Sequence, residues 1–412
     1  MSIFHNIFQA MADAAYIWRQ EMRQVVRDEG VLIFFILVPL AYPLLYSWVY
    51  NNEVVRDVPV VVVDQSHSQL SRQFIRYCDA SPDVSVAFYA ADLDEARSLV
   101  SRQLVKGIYF IPEDFDNNIN RMKQATVSVY CDMSLMLTYK AVYQTAMAVS
   151  QKMGAKLKTR LSGNYTNRED IVATQPLAYE DVPLFNPSGG YGSCLLPAVL
   201  ILILQQTLVL GIGLSAGTTR ESNKNGELVP DDLRFKGVYR IVWGKAMCYF
   251  MVYALMGVYL TIVVPRLFGF PMLASGGDLA LLMLPYILAC IFFGMTVSCL
   301  VRYRENVMLI MVFISIPLLF LTGVSWPQSN IPGAWQGVSW LFPSTFGVRA
   351  YIRLNSMGAT LNQVMPEIRH LWMQAVAYFA MTCLVYGHQL RVSRRRAKAE
   401  AAQNVKTAAV GA

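Results

Sequence analysis

Stretches of about twenty residues nearly free of charge recur six times in this chain, and they restrict its folding more than any motif does. They cover residues 31–50, 193–216, 240–264, 279–301, 307–324 and 370–390. A helix rises about 1.5 Å per residue, so runs of this length cross the roughly 30 Å hydrocarbon core of a bilayer. A composition of 55% hydrophobic and 15% charged residues, with a mean hydropathy of +0.36, fits a polytopic α-helical membrane protein and not a water-soluble enzyme. Pro39 and Pro43 remove helical hydrogen bonds from the first run and should bend it.

Residues 1–30 precede the first run. Ile3, Ile7, Phe8, Met11, Ala15, Trp18, Met22 and Val25 recur at helical spacing, while Arg19, Arg23 and Arg27 follow at four-residue steps on the opposite side. This pattern predicts an amphipathic helix lying in the membrane interface. No basic region leads into a short apolar core, so no cleavable signal peptide is expected. The arginine-rich approach to the first run places the N-terminus in the cytoplasm. Six crossings return the C-terminus there, and the basic tail over 392–412 (RVSRRRAKAE at its start) agrees.

Residues 51–189 change character. Strand-like segments at 58–64, 83–90, 107–112 and 126–132 alternate with helical ones at 66–78, 93–105 and 135–161, which predicts a compact α/β domain with a mixed sheet. This segment holds 14 basic and 16 acidic residues in a chain of net charge +7, an asymmetry that puts it outside the cytoplasm. Its two cysteines, Cys78 and Cys131, are read as separate thiols; a disulfide is the alternative in an oxidising compartment.

Between the fifth and sixth runs, residues 325–358 are too aromatic for a water-soluble loop and too broken for a span. Trp326, Trp335, Trp340, Phe342 and Phe346 are interleaved with Pro327, Pro332, Pro343 and several glycines. Aromatic rings suit the membrane–water boundary, and broken backbone at membrane depth survives only under protein cover or beside a wet cavity. Short re-entrant or interfacial helices are expected here. In the second run, Gln205 and Gln206 either line a polar path or bond between helices. The charged stretch over 217–237 reads as a cytoplasmic loop suited to docking a partner. The chain lacks GxxxxGK[ST], and Gly244-Lys245 has neither the spaced glycine nor the hydroxyl residue, so nucleotide binding by a P-loop is excluded. The sequence shows neither a metal-ligand cluster nor a paired-carboxylate motif within a span. Asp64, ending the first strand, reads as a turn or cap residue.

Three segments resemble the permease subunit of ABC-2 type exporters that carry a large extracytoplasmic domain between the first two spans. VPVVVVDQSHSQLSRQF and KGIYFIPEDF resemble its domain, with a strand ending in Ile111, Pro112, Asp114 and Phe115. LFNPSGGYGSCLLPAVL resembles its approach to the second span through Asn186 and Pro187, although Ala198 replaces the usual glycine after Pro197. Most specific is the broken stretch, where Leu321, Gly323, Pro327, Pro332, Gln336, Pro343, Thr345 and Gly358 occupy the signature places. GTTRESNKNGEL departs from the usual loop wording, keeping Arg220, Glu221 and Gly226 in altered order.

The resemblance implies a non-enzymatic subunit of an exporter for drugs, lipids or similar amphipathic substrates in a bacterial inner membrane. ATP and Mg would be bound by separate ABC ATPase subunits, and a second permease copy or paralogue would complete a dimer. A periplasmic adaptor and outer-membrane channel are further expected partners; nucleic acid is not. Arg19, Arg23, Arg220, Glu221, Gly226 and Glu227 become candidates for coupling to the ATPase. Gly323, Pro327, Pro332, Trp335 and Pro343 become candidates for the gate, and Gln205 and Gln206 for the pathway. The alternative function is a membrane-anchored receptor or adhesion protein using the α/β domain.

Overall fold

The computed structural model describes residues 2–51, 53–121, 123–162, 166–174, 182, 184–186, 189–223, 228–229, 237–300 and 303–410. The chain divides into two compact units, Met1–Asn51 with Leu184–Ala412, and Asn52–Pro183.

The first unit is helical. It begins with α1 (Ser2–Arg27), followed by α2 (Glu29–Val49). Asp28 separates them and caps α2, its Oδ1 accepting from the amides of Gly30 at 3.1 Å and Val31 at 3.3 Å. After the second unit come α8 (Tyr191–Ser222), α9 (Val238–Phe268), α10 (Gly276–Leu300) and α11 (Arg304–Leu321). Among the described residues, five helices (α2 and α8 to α11) are long and apolar enough to cross a membrane. Two of them contain a π-helical turn just upstream of a proline: Ile33–Leu37 before Pro39, and Tyr259–Val263 before Pro265. A proline lacks the N–H and its ring crowds the carbonyl four residues back; a widened turn relieves both faults.

Downstream, α11 gives way to a left-handed Gly323, a short 3₁₀ turn, α12 (Gly333–Ser339), α13 (Pro343–Tyr351) and a π-helical turn over Ile352–Ser356. The chain ends in α14 (Leu361–Val410), a single helix of 50 residues. The expected sixth run lies within α14, which is not among the five sufficiently apolar helices; Gln374, Tyr378, Tyr386 and His388 dilute it. The basic residues expected to form the tail from 392 continue this helix without a break as far as Val410.

Helix α8 is the core of this unit, packing against α2, α10, α11 and α13. Leu196, Leu200, Ile201, Leu204, Leu208 and Ile212 are buried along it. Close approach depends on absent side chains. A Cβ on Gly211 would fall 2.1 Å from the Phe35 ring, and one on Gly347 would fall 2.3 Å from the Tyr286 ring.

The second unit holds a four-stranded sheet in the order β2-β1-β3-β4, from β1 (Val58–Asp64), β2 (Val84–Tyr89), β3 (Gly107–Ile111) and β4 (Ser128–Cys131). β1 runs parallel to β2 and β3, while β4 is antiparallel to β3. The helices are α3 (Gln69–Asp79), α4 (Leu93–Ser101), α5 (Phe115–Asn120), α6 (Met136–Ser162) and α7 (Asn167–Thr174). β1 is buried on both faces, as a central parallel strand must be. Val60 and Val62 pack with Phe74 of α3 and Val142 of α6, and Val61 and Val63 with Ala96 of α4. Cys78 and Cys131 are free thiols, and burial pushes the Cys78 thiol up to about 12, away from reactive thiolate. Asp64 organises the first strand-to-helix turn, accepting from the amides of Ser66 and His67 and, at 2.7 Å, from the Ser71 hydroxyl.

Gly211→Val should lower stability by about 1–3 kcal/mol through overpacking against Phe35. Gly276→Ala, whose added Cβ meets nothing within 4 Å, should stay within about 0.5 kcal/mol. Thermal unfolding of the detergent-purified protein measures both.

Candidate coupling site

The face that α1 buries is polar at its centre. Asp13, Ile17, Glu21, Val25 and Asp28 recur at three- and four-residue steps, so they share one side of the helix. Ile17 and Val25 are buried, and Glu21 is only 3% exposed. Gly244 on α9 allows this approach, because a Cβ there would lie 2.8 Å from the Ile17 side chain and 2.9 Å from the Ala14 carbonyl oxygen.

Glu21 Oε2 meets Lys245 Nζ of α9 at 3.0 Å, and Lys245 is 2% exposed. Glu21 Oε1 accepts from the Ser215 hydroxyl of α8 at 3.0 Å and from the Tyr249 hydroxyl of α9. One turn on, Gln24 Nε2 donates to Thr219 Oγ1 at 2.9 Å, and one flank earlier Arg240 pairs with Asp13. A buried carboxylate is tolerated only when paired and hydrogen-bonded, and Glu21 is both. Burial alone would raise its carboxyl group. The Lys245 charge and the hydrogen bonds from Tyr249, Lys245 and Ser215 outweigh burial and hold it below the ordinary 4.5.

Asp28 is a second junction. Besides capping α2, its Oδ1 takes Arg304 Nη2 of α11 at 2.9 Å, and its Oδ2 takes the Thr218 hydroxyl of α8 at 2.5 Å. Burial raises this carboxyl group, but the bonds from Thr218 and Val31 and the Arg304 charge prevail, leaving it below 3.8. Thus α1, α2, α8, α9 and α11 meet through side chains at one end of the bundle.

The expected coupling residues divide. Arg19 and Arg23 are exposed on the outer side of α1. The expected loop start at residue 217 is corrected: Gly217–Ser222 continue α8, because Thr218 and Thr219 are bonded to α1 and its junction, and tertiary contacts override their weak helix propensity. Arg220 is consequently 8% exposed, with Nη2 donating to the Cys299 carbonyl of α10 at 2.9 Å, while Glu221 remains exposed. Gly226 and Glu227 lie outside the described residues. Sequence reasoning passed over Glu21 and Lys245; the remaining signal was a glutamate on the apolar side of α1 and a lysine within a span.

At the other candidate region, local bonds hold the broken backbone. Gly323 has φ +86°, a value that favours glycine. Pro327 precedes the 3₁₀ turn, Pro332 precedes α12, and Pro343 opens α13. Gln336 Nε2 donates to the carbonyls of Gln328 at 3.0 Å and Ile331 at 2.9 Å, and Thr345 Oγ1 donates to the Ser339 carbonyl at 2.7 Å. Trp335 is 57% exposed, whereas α13 is buried throughout most of its length. Gln205 Oε1 caps α13 from another helix, accepting the Ser344 amide at 2.6 Å. Gln206 faces elsewhere. It lines a cleft of about 380 Å³ between α2, α8 and α11, with Phe34, Tyr42, Met308, Met311 and Ser315.

Lys245→Met alone should cost about 3–5 kcal/mol, because it leaves Glu21 charged and buried. Adding Glu21→Gln should recover part of that loss, a coupling of about 1–3 kcal/mol in a double-mutant thermal-unfolding cycle. Since the folded Glu21 pKa is depressed, its stabilisation is full above the unfolded value near 4.5 and is lost as pH falls through the folded value. Melting temperatures should therefore drop below about pH 4.5, and Glu21→Gln should drop less.

The sequence of the family described as ABC-2 family transporter protein matches residues 30–384. The chain is also similar to the probable multidrug ABC transporter permease YbhR of Escherichia coli strain K12, 20% identical over 360 residues that cover 84% of this chain and 92% of that protein. YbhR of Escherichia coli O157:H7 matches to the same extent. With the match extending from the start of α2 into α14 across five apolar helices and an inserted α/β unit, the chain belongs to the ABC-2 family of transporter proteins and is a multi-pass membrane permease.

Proposed function

We propose that this permease is the membrane half of an ATP-driven exporter of amphipathic molecules, drug-like or lipid-like, powered by separate ATPase chains that bind ATP and Mg. The observation that carries this reading is the polar junction joining α1 to α8, α9 and α11. Arg19 and Arg23 lie exposed on one side of α1, open to a docking ATPase, while Glu21 and Gln24 tie the other side to the bundle. A push on α1 is then transmitted to the spans and not lost in sliding, because separating Glu21 from Lys245 would strand two buried charges. Through Asp28 and Arg304 the displacement reaches α11, which borders the Gln206 cleft. That cleft is mostly apolar with one amide, a lining that suits an amphipathic cargo.

In this reading α14 supplies a sixth crossing, both termini lie in the cytoplasm, and the α/β unit lies on the periplasmic side of a bacterial inner membrane. Two permease copies, or this chain and a paralogue, line the pathway. A periplasmic adaptor and outer-membrane channel receive the cargo. Residues 325–358 re-enter the outer leaflet and gate it. The description of YbhR as a probable multidrug permease supports the substrate class.

Affinity purification in mild detergent should recover an ABC ATPase. Reversing the exposed charges, in Arg19→Glu with Arg23→Glu or in Glu221→Lys, should abolish substrate-stimulated ATPase activity in the reconstituted complex without changing membrane insertion. Normal stimulation would overturn the coupling assignment. Arg220 is a poorer probe, since its contact with Cys299 means that reversal also disturbs the bundle. Pro332→Leu should block export if residues 325–358 gate, and export at the unaltered rate would reduce the segment to an anchor.

A further inference from the structure

We propose that the α/β unit carries a binding groove for a long-chain carboxylate, a single-chain amphiphile with an anionic head. The groove lies against α6, with a volume of about 470 Å³, within the roughly 300–1,000 Å³ of small-molecule sites. Ser150, Met153, Gly154, Leu157 and Lys158 line it at three- and four-residue steps, so one stripe of α6 forms a wall. Phe74 of α3 and Phe115 of α5 give it an apolar floor continuous with the core of the unit.

Two observations specify the occupant. Among the described residues, the charged ones lining the groove are Lys123 and Lys158, both exposed, and none of that lining is a carboxylate. The nearby Asp114 and Asp116 are turned to the side chains of Asn118 and Asn120. Two ammonium groups over an apolar floor match a carboxylate joined to a hydrocarbon chain; they repel a cationic amphiphile, and the floor offers nothing to a free inorganic anion. Gly154 is the second observation. Glycine is a poor residue for the middle of a helix, and a Cβ there would meet nothing within 4 Å, so packing does not require it. Its missing side chain leaves the groove open.

A role for the groove in holding exported cargo rests on the function proposed above; binding itself does not, and is measured without ATP or transport. The full-length protein in neutral detergent is photolabelled with diazirine-bearing hexadecanoate, and the labelled peptides are mapped. Label is expected within residues 115–127 and 150–158. It should fall about tenfold with the trimethylammonium counterpart of the probe, in Gly154→Trp, and in Lys123→Glu/Lys158→Glu, while Gly154→Ala retains it. Thermal unfolding checks each variant, and the exposed lysine pair carries the test if Gly154→Trp fails to fold. Equal labelling by the carboxylate, alcohol and ammonium probes, label confined to the helical unit, or label indifferent to both the tryptophan and the charge reversals would overturn the proposal.

Discussion

The buried pair of Glu21 and Lys245 is the contact on which the helical unit depends. Removing two charges from water costs several kcal/mol each, and the cost is met only by good geometry and by partners for every remaining lone pair. Here the carboxylate is satisfied by Lys245, Tyr249 and Ser215 together, from two helices. That requirement fixes α1 in one register against the bundle. Sliding it by a residue would part Glu21 from Lys245 and bring Tyr16 or Trp18, each bulkier than Ile17, against Gly244. With α1 fixed, Asp28 is fixed as well, and through it the starts of α2 and α11 and the end of α8.

The broken segment between α11 and α14 solves a different problem. Its prolines and glycines prevent a continuous helix, so backbone groups must find partners elsewhere. Gln336 answers two carbonyls, Thr345 answers a third, and Gln205 reaches from α8 to cap α13. Gly323, Gln336 and Thr345 thus have a structural role: a left-handed turn and two side chains that replace backbone bonding. The exposed tryptophans stand beside this framework, while α13 is held within the core.

Much of this was legible in the sequence because the relevant signals are local. Hydropathy over a twenty-residue window located the five apolar helices, and strand-and-helix alternation located the α/β unit, with boundaries displaced by a few residues. α5, a single short helix, carried too little periodicity to be seen. The candidate coupling site was half legible. Arg19 and Arg23 stood out by spacing, whereas Arg220 read as a loop residue because its charge masked a helix held by Thr218 and Thr219 against distant partners.

The sequence by itself determined that the chain is a multi-pass membrane protein with an inserted α/β unit, since apolar length and residue periodicity act within a single segment. Only the tertiary structure decided that Glu21 belongs to Lys245, that Arg220 is tucked against α10, and that Gln205 caps a helix while its neighbour Gln206 faces a cleft. Those outcomes turn on which helical faces meet across long separations in the chain, and on the glycines that let them meet. Local patterns carry no record of such pairings.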